Sequence, residues 1–236
     1  MKTILMMILF FSGCSNSPAI IENKEKVILV HGYGRSISAM KGIQDYLNHE
    51  GYQVIPIGYS SLTQDLDGIK KEFIAKVDSG LNGREAKVHF VGHSFGGLMI
   101  RNYLAEKTPK NLGNVVILGT PNKGTPLVDY IQDKWYYGLT GPALINLSSK
   151  GSVFLSSLQK PFYNLGVIAG NVSSSSRNSI FSGANDGLVP VESTKVDGMK
   201  DFIILPVNHY SMRSHPVVNR QIHHFLSKAE FIKVEP

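Results

Sequence analysis

The stretch Val88-His89-Phe90-Val91-Gly92-His93-Ser94-Phe95-Gly96-Gly97 places a serine between two glycines, directly after a run of mostly apolar residues. The apolar run predicts a buried strand over 88–91, and the residues from Gly97 to Lys107 resemble a helix. Residues 92–96 fit the pattern G-x-S-x-G, in which a tight strand-to-helix turn exposes the serine hydroxyl above the sheet. A side chain at Gly92 or Gly96 would collide with neighbouring backbone, so we expect both positions to require glycine.

This turn makes Ser94 a candidate nucleophile at a helix N-terminus. The alternative is a plain glycine-rich turn between strand and helix that cradles a phosphate. The usual phosphate-binding motifs, G-x-x-x-x-G-K-[ST] and G-x-G-x-x-G, do not follow this strand. The sequence therefore favours the nucleophile.

The rest of the chain alternates short apolar runs with amphipathic segments. The patterns predict strands over 27–30, 52–59, 88–91, 114–118, 165–169 and 201–205, and helices over 37–48, 65–81, 97–107 and 215–226. All-apolar strands that alternate with helices predict an α/β fold: a mostly parallel sheet of about six strands, flanked by helices on both faces.

Residues 120–164 interrupt this alternation and are rich in Gly, Pro and Ser. A segment of this length is too long for a simple connection in a compact domain. We interpret it as an insertion of short helices and a candidate cap over a site. Its aromatic residues at 135–137 would suit an acyl chain; the alternative is that they only pack the insertion.

A serine hydroxyl needs a neighbouring base, and a histidine held by a carboxylate is the usual one, in the chain order Ser, Asp or Glu, His. His209 follows the last predicted strand, at the edge where a parallel sheet builds its sites. The later histidines His215, His223 and His224 lie on or beside the terminal helix, where packing or solvation is the simpler explanation. His209 is therefore the candidate base.

Four acidic residues compete to orient that histidine. Asp186 lies in the turn-prone sequence Asn185-Asp186-Gly187 and is favoured by its position. Glu192, Asp197 and Asp201 remain alternatives, because an Asp-Gly pair is often only a turn.

An oxyanion formed at the serine needs two backbone N–H donors that are in place before the reaction. The residue after the nucleophile, Phe95, supplies one. Tyr33, in the glycine-containing loop 31–35 after the first strand, is the candidate for the other. The alternative for this loop is a tight turn that touches no ligand.

The N-terminus Met1–Cys14 has one basic residue, Lys2, then an apolar run and the small pair Ser12-Gly13 before the only cysteine. This layout predicts a secretory signal over 1–13, with an apolar run too short to span a bilayer. It resembles a bacterial lipobox, which implies that Cys14 is lipidated and becomes the new N-terminus. The resemblance implies anchoring in the cell envelope, with the outer membrane favoured by Ser15; the alternative is an ordinary secreted or periplasmic protein.

The amino-acid composition excludes several classes of protein. The 236 residues are 42% apolar and 18% charged, with a net charge of +6, which excludes a disordered chain. A single cysteine excludes a disulfide framework and a cysteine-rich zinc site. No basic run points to nucleic acid. We therefore predict a tether over 14–25 and one domain over 26–236.

Five ordered motifs carry a resemblance to a known family: VHGYGR at 30–35, GHSFGG at 92–97, GTPNKGTP at 119–126, NDGLVP at 185–190 and NHYSM at 208–212. Together they resemble the α/β-hydrolase superfamily, and within it the compact bacterial lipases and esterases. The resemblance implies that Ser94 is the nucleophile, Asp186 the acid and His209 the base, with Tyr33 and Phe95 as oxyanion donors. Some secreted relatives bind calcium through an aspartate two residues after the histidine.

At that position this chain has Ser211, so we expect no metal site of that type and no cofactor. The expected function is hydrolysis of carboxylic esters with lipid-like acyl chains, by a monomer. The alternatives are acyl transfer with the same residues, or a surface lipoprotein that retains the fold as a binding module without catalysis.

Overall fold

The computed structural model describes residues 24–81, 86–173 and 179–233. The predictions for the signal sequence, for Cys14 and for most of the tether lie outside these residues. The described chain forms a six-stranded sheet in the order β2-β1-β3-β4-β5-β6, in which all neighbouring strands are parallel. The strands are β1 Lys26–Val30, β2 Gln53–Ile57, β3 Val88–His93, β4 Leu112–Leu118, β5 Leu165–Gly170 and β6 Asp201–Leu205. The predicted sheet is confirmed.

Helices connect the strands and cover both faces of the sheet. They are α1 Lys41–His49, α2 Leu66–Leu81, α3 Phe95–Glu106, α4 Pro126–Ile131, α5 Val153–Ser157, α6 Val191–Thr194 and α7 Pro216–Lys228. The predicted helix over 37–48 begins with a 3₁₀ turn, Ile37–Met40, before α1. Across 24–81, 86–173 and 179–233, none of the helices has the length and apolar character needed to cross a membrane.

Strand β1 shows how the sheet divides the core. Ile28 and Val30 pack with the cluster that includes α2 and α3, whereas Val27 and Leu29 pack with the cluster that includes α1 and α7. All five residues of β1 are buried. Both faces of the strand are apolar because alternate side chains point to opposite faces and each face is covered.

The segment between β4 and β5 contains α4, α5 and the 3₁₀ helices Tyr137–Thr140 and Pro142–Leu147. The buried guanidinium of Arg101, on α3, donates to the Asn122 side chain at 2.7 Å and to the carbonyl of Gln159 at 3.0 Å. Because these two acceptors lie near opposite ends of the segment, one arginine fastens it to the sheet domain.

Candidate active site

Ser94 lies in the turn from β3 to α3 with φ 55° and ψ −125°. Within the described residues only Ser94 and Ala229 combine a side chain with a positive φ. Such a conformation costs about 1–3 kcal/mol and persists only where the surroundings impose it. The Ser94 N–H donates to the carbonyl of Leu118 at 2.8 Å, which fixes the turn against the end of β4.

The two glycines of the turn have no room for a side chain. A Cβ on Gly96 would lie 2.5 Å from the carbonyl oxygen of His31, and one on Gly92 would lie 2.8 Å from the nitrogen of Gly97. Backbone atoms cannot move aside as a flexible side chain can. The expectation that both positions require glycine is confirmed.

Asp186 and His209 form a buried hydrogen-bonded pair. Asp186 lies in the loop between β5 and α6, and His209 follows β6. Oδ2 of Asp186 lies 2.7 Å from Nδ1 of His209, and the His209 N–H donates to the Asp186 carbonyl at 2.8 Å. Because a carboxylate only accepts, Nδ1 carries the hydrogen and Nε2 is left as the acceptor.

The loop around Asp186 fixes the other carboxylate oxygen. Oδ1 accepts the N–H of Leu188 at 3.0 Å and that of Val189 at 2.8 Å. Asp186 is therefore oriented by its own loop as well as by the histidine. Gly119 lies against this pair: a Cβ there would lie 2.8 Å from Oδ2 of Asp186.

The three rival carboxylates have other partners. Glu192 pairs with Lys195 at 2.6 Å, Asp197 with Lys160 at 3.2 Å, and Asp201 with Lys233 at 2.6 Å. Sequence order alone left these alternatives open. The loop contacts bring only Asp186, among the four candidates, to His209.

His93 holds the backbone of His209. Its Nε2 lies 2.9 Å from the His209 carbonyl oxygen, to which it donates, and the two rings are 4.6 Å apart. Burial lowers the pKa of His93 well below its usual value, so the ring stays neutral. No local sequence pattern predicts this contact, because it joins residues 116 positions apart.

The loop 31–35 lies directly against the serine. A Cβ on Gly32 would lie 2.9 Å from Cβ of Ser94. His31 shapes the loop: its Nδ1–H donates to the Gly32 carbonyl at 2.8 Å, and its Nε2 accepts the Tyr59 N–H at 3.3 Å. Burial lowers the pKa of His31, which keeps this neutral form.

Both candidate oxyanion donors are neighbours of residues that lie at the serine turn. Phe95 is the first residue of α3, so its N–H has no acceptor within the helix. Tyr33 follows Gly32, and its ring packs edge-on to Phe95 at 5.6 Å. The Tyr33 hydroxyl donates to the Thr140 carbonyl at 2.9 Å, and burial raises its pKa to about 12. Tyr33 thus joins the loop to the 3₁₀ helix after α4.

Ser94 and His209 line a cavity of about 240 Å³ whose remaining wall is largely aliphatic. Its apolar side chains come from the segment after β4 and from the Asp186 loop: Leu127, Val128, Ile131, Leu144, Leu147, Leu188 and Val189. The expectation that the aromatics at 135–137 form an acyl site was wrong. Trp135 is 90% exposed, and the aliphatic face of the short helices lines the cavity instead.

Ser211, at the position where some lipases carry a calcium ligand, belongs to the loop that holds His209. Its N–H donates to the Asn208 side chain at 2.8 Å, and its Oγ accepts the Asn208 N–H at 3.1 Å. These bonds close a tight turn around His209.

Comparison with known proteins identifies the family. A family model described as palmitoyl protein thioesterase matches residues 26–165, more than half of the chain. The chain belongs to the palmitoyl protein thioesterase family. Triacylglycerol lipases from Pseudarthrobacter phenanthrenivorans and Burkholderia plantarii are each 34% identical to it over 116 residues, or 45% of this chain. The match covers 36% and 32% of those two proteins, so it spans about a third of their length.

A solved structure shows the same fold. The mature form of the Bacillus licheniformis lipase BlEst2 superposes with a TM-score of 0.73 and 20% identity, over 89% of this chain and 94% of that one. The predicted α/β-hydrolase fold is confirmed for this member of the family.

We expect Gly96→Ala to lower the free energy of unfolding by about 2 kcal/mol or more, because the new Cβ would press on the carbonyls of β1 and its following loop. Urea unfolding followed by far-ultraviolet circular dichroism measures the change. Gly138→Ala is the matched control, since nothing lies within 4 Å of a Cβ there, and it should stay within about 0.5 kcal/mol of the parent. Equal stability of the two variants would contradict the steric account of the turn.

Proposed function

We propose that this protein is a serine hydrolase that cleaves carboxylic esters of lipid-like acids, with Ser94, His209 and Asp186 as its catalytic residues. One observation carries the proposal: His209, which is hydrogen-bonded to Asp186, lines an apolar cavity together with a serine in a strained turn at a helix N-terminus. The lipases among the relatives support the same chemistry.

The reaction begins with an ester whose acyl chain lies along the aliphatic wall of the cavity. Oγ of Ser94 attacks the carbonyl carbon while Nε2 of His209 takes the hydroxyl proton. Asp186 keeps the ring oriented and stabilises its positive charge. The N–H groups of Tyr33 and Phe95 hold the oxyanion, and His209 then protonates the departing alcohol.

Water completes the cycle. His209 Nε2 takes a proton from a water molecule as that water attacks the acyl-enzyme, and the proton then passes from His209 to Ser94 Oγ as the carboxylic acid departs. The family match favours a second candidate substrate, a thioester, which would form the same acyl-enzyme. Matched S-butyryl and O-butyryl substrates distinguish the two leaving groups by their kcat/KM values.

Ser94→Ala and His209→Ala should each abolish hydrolysis of p-nitrophenyl butyrate, and the double variant should be scarcely worse, because these groups act as a unit. Asp186→Asn should lower kcat about 10⁴-fold, since the amide no longer stabilises the charged ring. Initial rates of p-nitrophenol release measure the activity, and circular dichroism verifies that each variant is folded.

The matched control for Asp186→Asn is Glu192→Gln, which removes a carboxylate that is exposed and pairs with Lys195. It should retain the parental rate. Activity near the parental level in folded Ser94→Ala would contradict the role of Ser94 as nucleophile, whereas a folded parent that hydrolyses no ester would leave the fold as a binding module. Transfer of the acyl group to an added alcohol in preference to water would identify an acyltransferase.

We also propose that Cys14 carries lipid that anchors the enzyme in the bacterial envelope, on the evidence of the sequence Phe11-Ser12-Gly13-Cys14. Each buried CH₂ contributes about 0.8 kcal/mol and one short chain binds only marginally, so stable anchoring needs several chains. Cys14→Ser should move the protein out of the membrane fraction, whereas Ser17→Ala should not. Mass spectrometry of the mature N-terminus tests the lipidation. An unmodified N-terminus at a residue other than Cys14 would contradict the proposed lipid anchor.

A further inference from the structure

A second, polar groove adjoins the ester cavity. It has a volume of about 640 Å³ and is lined by residues 34–36, 38, 39, 59–63 and by Arg213. Arg35 lines both the groove and the ester cavity, so it marks the place where they meet. The groove therefore begins at the mouth of the site that contains Ser94.

Two arginines give this groove its charge. The guanidinium carbons of Arg35 and Arg213 lie 5.4 Å and 5.7 Å from the centroid of the Tyr210 ring, next to His209 in the chain. Neither arginine forms an ion pair with a carboxylate in the part of the chain that the structure describes. Burial and the positive charge of Arg35 lower the pKa of Arg213. Two positive charges therefore lie close together over the same aromatic ring.

The other polar side chains of the groove carry hydroxyls: Ser36, Ser38, Tyr59, Ser60, Ser61 and Thr63. The Tyr59 hydroxyl donates to the carbonyl of His31. None of the residues that line it is Asp or Glu. Guanidinium groups and hydroxyls donate hydrogen bonds to phosphate oxygens, and arginine offers a planar pair of donors that matches them. The lining thus favours an oxyanion and disfavours a cation.

One apolar side chain in the groove favours a lipid over a soluble phosphate as the ligand. Leu62 lines the groove, is 51% exposed, and lies beside Gly141 of the segment that walls the ester cavity. A ligand that fills both spaces needs an acyl chain at one end, an ester at Ser94 and an anion at Arg35. That order of groups is the order found in a glycerophospholipid.

We propose that Arg35 and Arg213 bind the phosphate of a glycerophospholipid whose acyl ester lies at Ser94; this rests on the ester hydrolysis proposed above. The acyl C–O bond breaks, the acyl group passes to Ser94 Oγ and then to water, and His209 returns a proton to the alcohol. The products are a fatty acid and a lysophospholipid. The phosphodiester is not cleaved.

The test compares two monomeric substrates with the same chains, dihexanoylphosphatidylglycerol and dihexanoylglycerol. The ratio of their kcat/KM values reports the contribution of the phosphate and cancels any general loss of activity. The parent should favour the phospholipid at least tenfold, and Arg35→Gln and Arg213→Gln should each lower the ratio about tenfold. Arg220→Gln, which removes an exposed arginine from α7, is the matched control and should leave the ratio unchanged.

A parental ratio near one, or a ratio that both glutamine variants leave unchanged, would overturn the phosphate site. Ser94-dependent hydrolysis of dihexanoylglycerol would still support the proposed function, whereas a folded parent that hydrolyses neither substrate would overturn the hydrolase itself. Inhibition by glycerol 3-phosphate is the last measurement. If it inhibits with a constant equal to the KM of the phospholipid, the groove serves a soluble phosphate and the lipid assignment is wrong.

Discussion

The close approach of β1 to the turn at Ser94 is the constraint on which the rest of the site depends. No atom larger than hydrogen fits on Gly96, because the carbonyls of Val30 and His31 already occupy that space. The same crowding sets Ser94 at a positive φ and places the loop after β1 against it. A single contact between two neighbouring parallel strands therefore positions both Ser94 and the loop 31–35, which carries a candidate oxyanion donor.

Parallel topology brings the remaining groups to the same edge. The loops after β3, β5 and β6 carry Ser94, Asp186 and His209, and the segment after β4 supplies much of the aliphatic wall. Loops at the carboxyl ends of parallel strands meet in space however far apart they lie in the chain. Each loop also fixes itself, as Asp186 does through the N–H groups of Leu188 and Val189, so the site needs little rearrangement to bind an ester.

The sequence predicted those features that local patterns encode. Six strands, the glycine turn and Ser94 follow from residues that are adjacent in the chain. The choice among Asp186, Glu192, Asp197 and Asp201 needed the structure, because contact between two loops leaves no periodic signal. The cavity wall was misjudged for a similar reason: Trp135 is apolar but points to solvent, while leucines of short helices turn inward. The bond from His93 to the backbone of His209 could not be predicted, because it joins two loops that are far apart in the chain.

In the proposed mechanism the Asp186–His209 pair activates Ser94 as a nucleophile. Reaction of the folded protein with a fluorophosphonate, followed by peptide mass spectrometry, measures that activation directly because the probe bonds only to an activated hydroxyl. We expect one adduct, on Ser94, formed quickly by the parent and orders of magnitude more slowly by His209→Ala. An adduct on another residue, or equal rates in the two proteins, would contradict it.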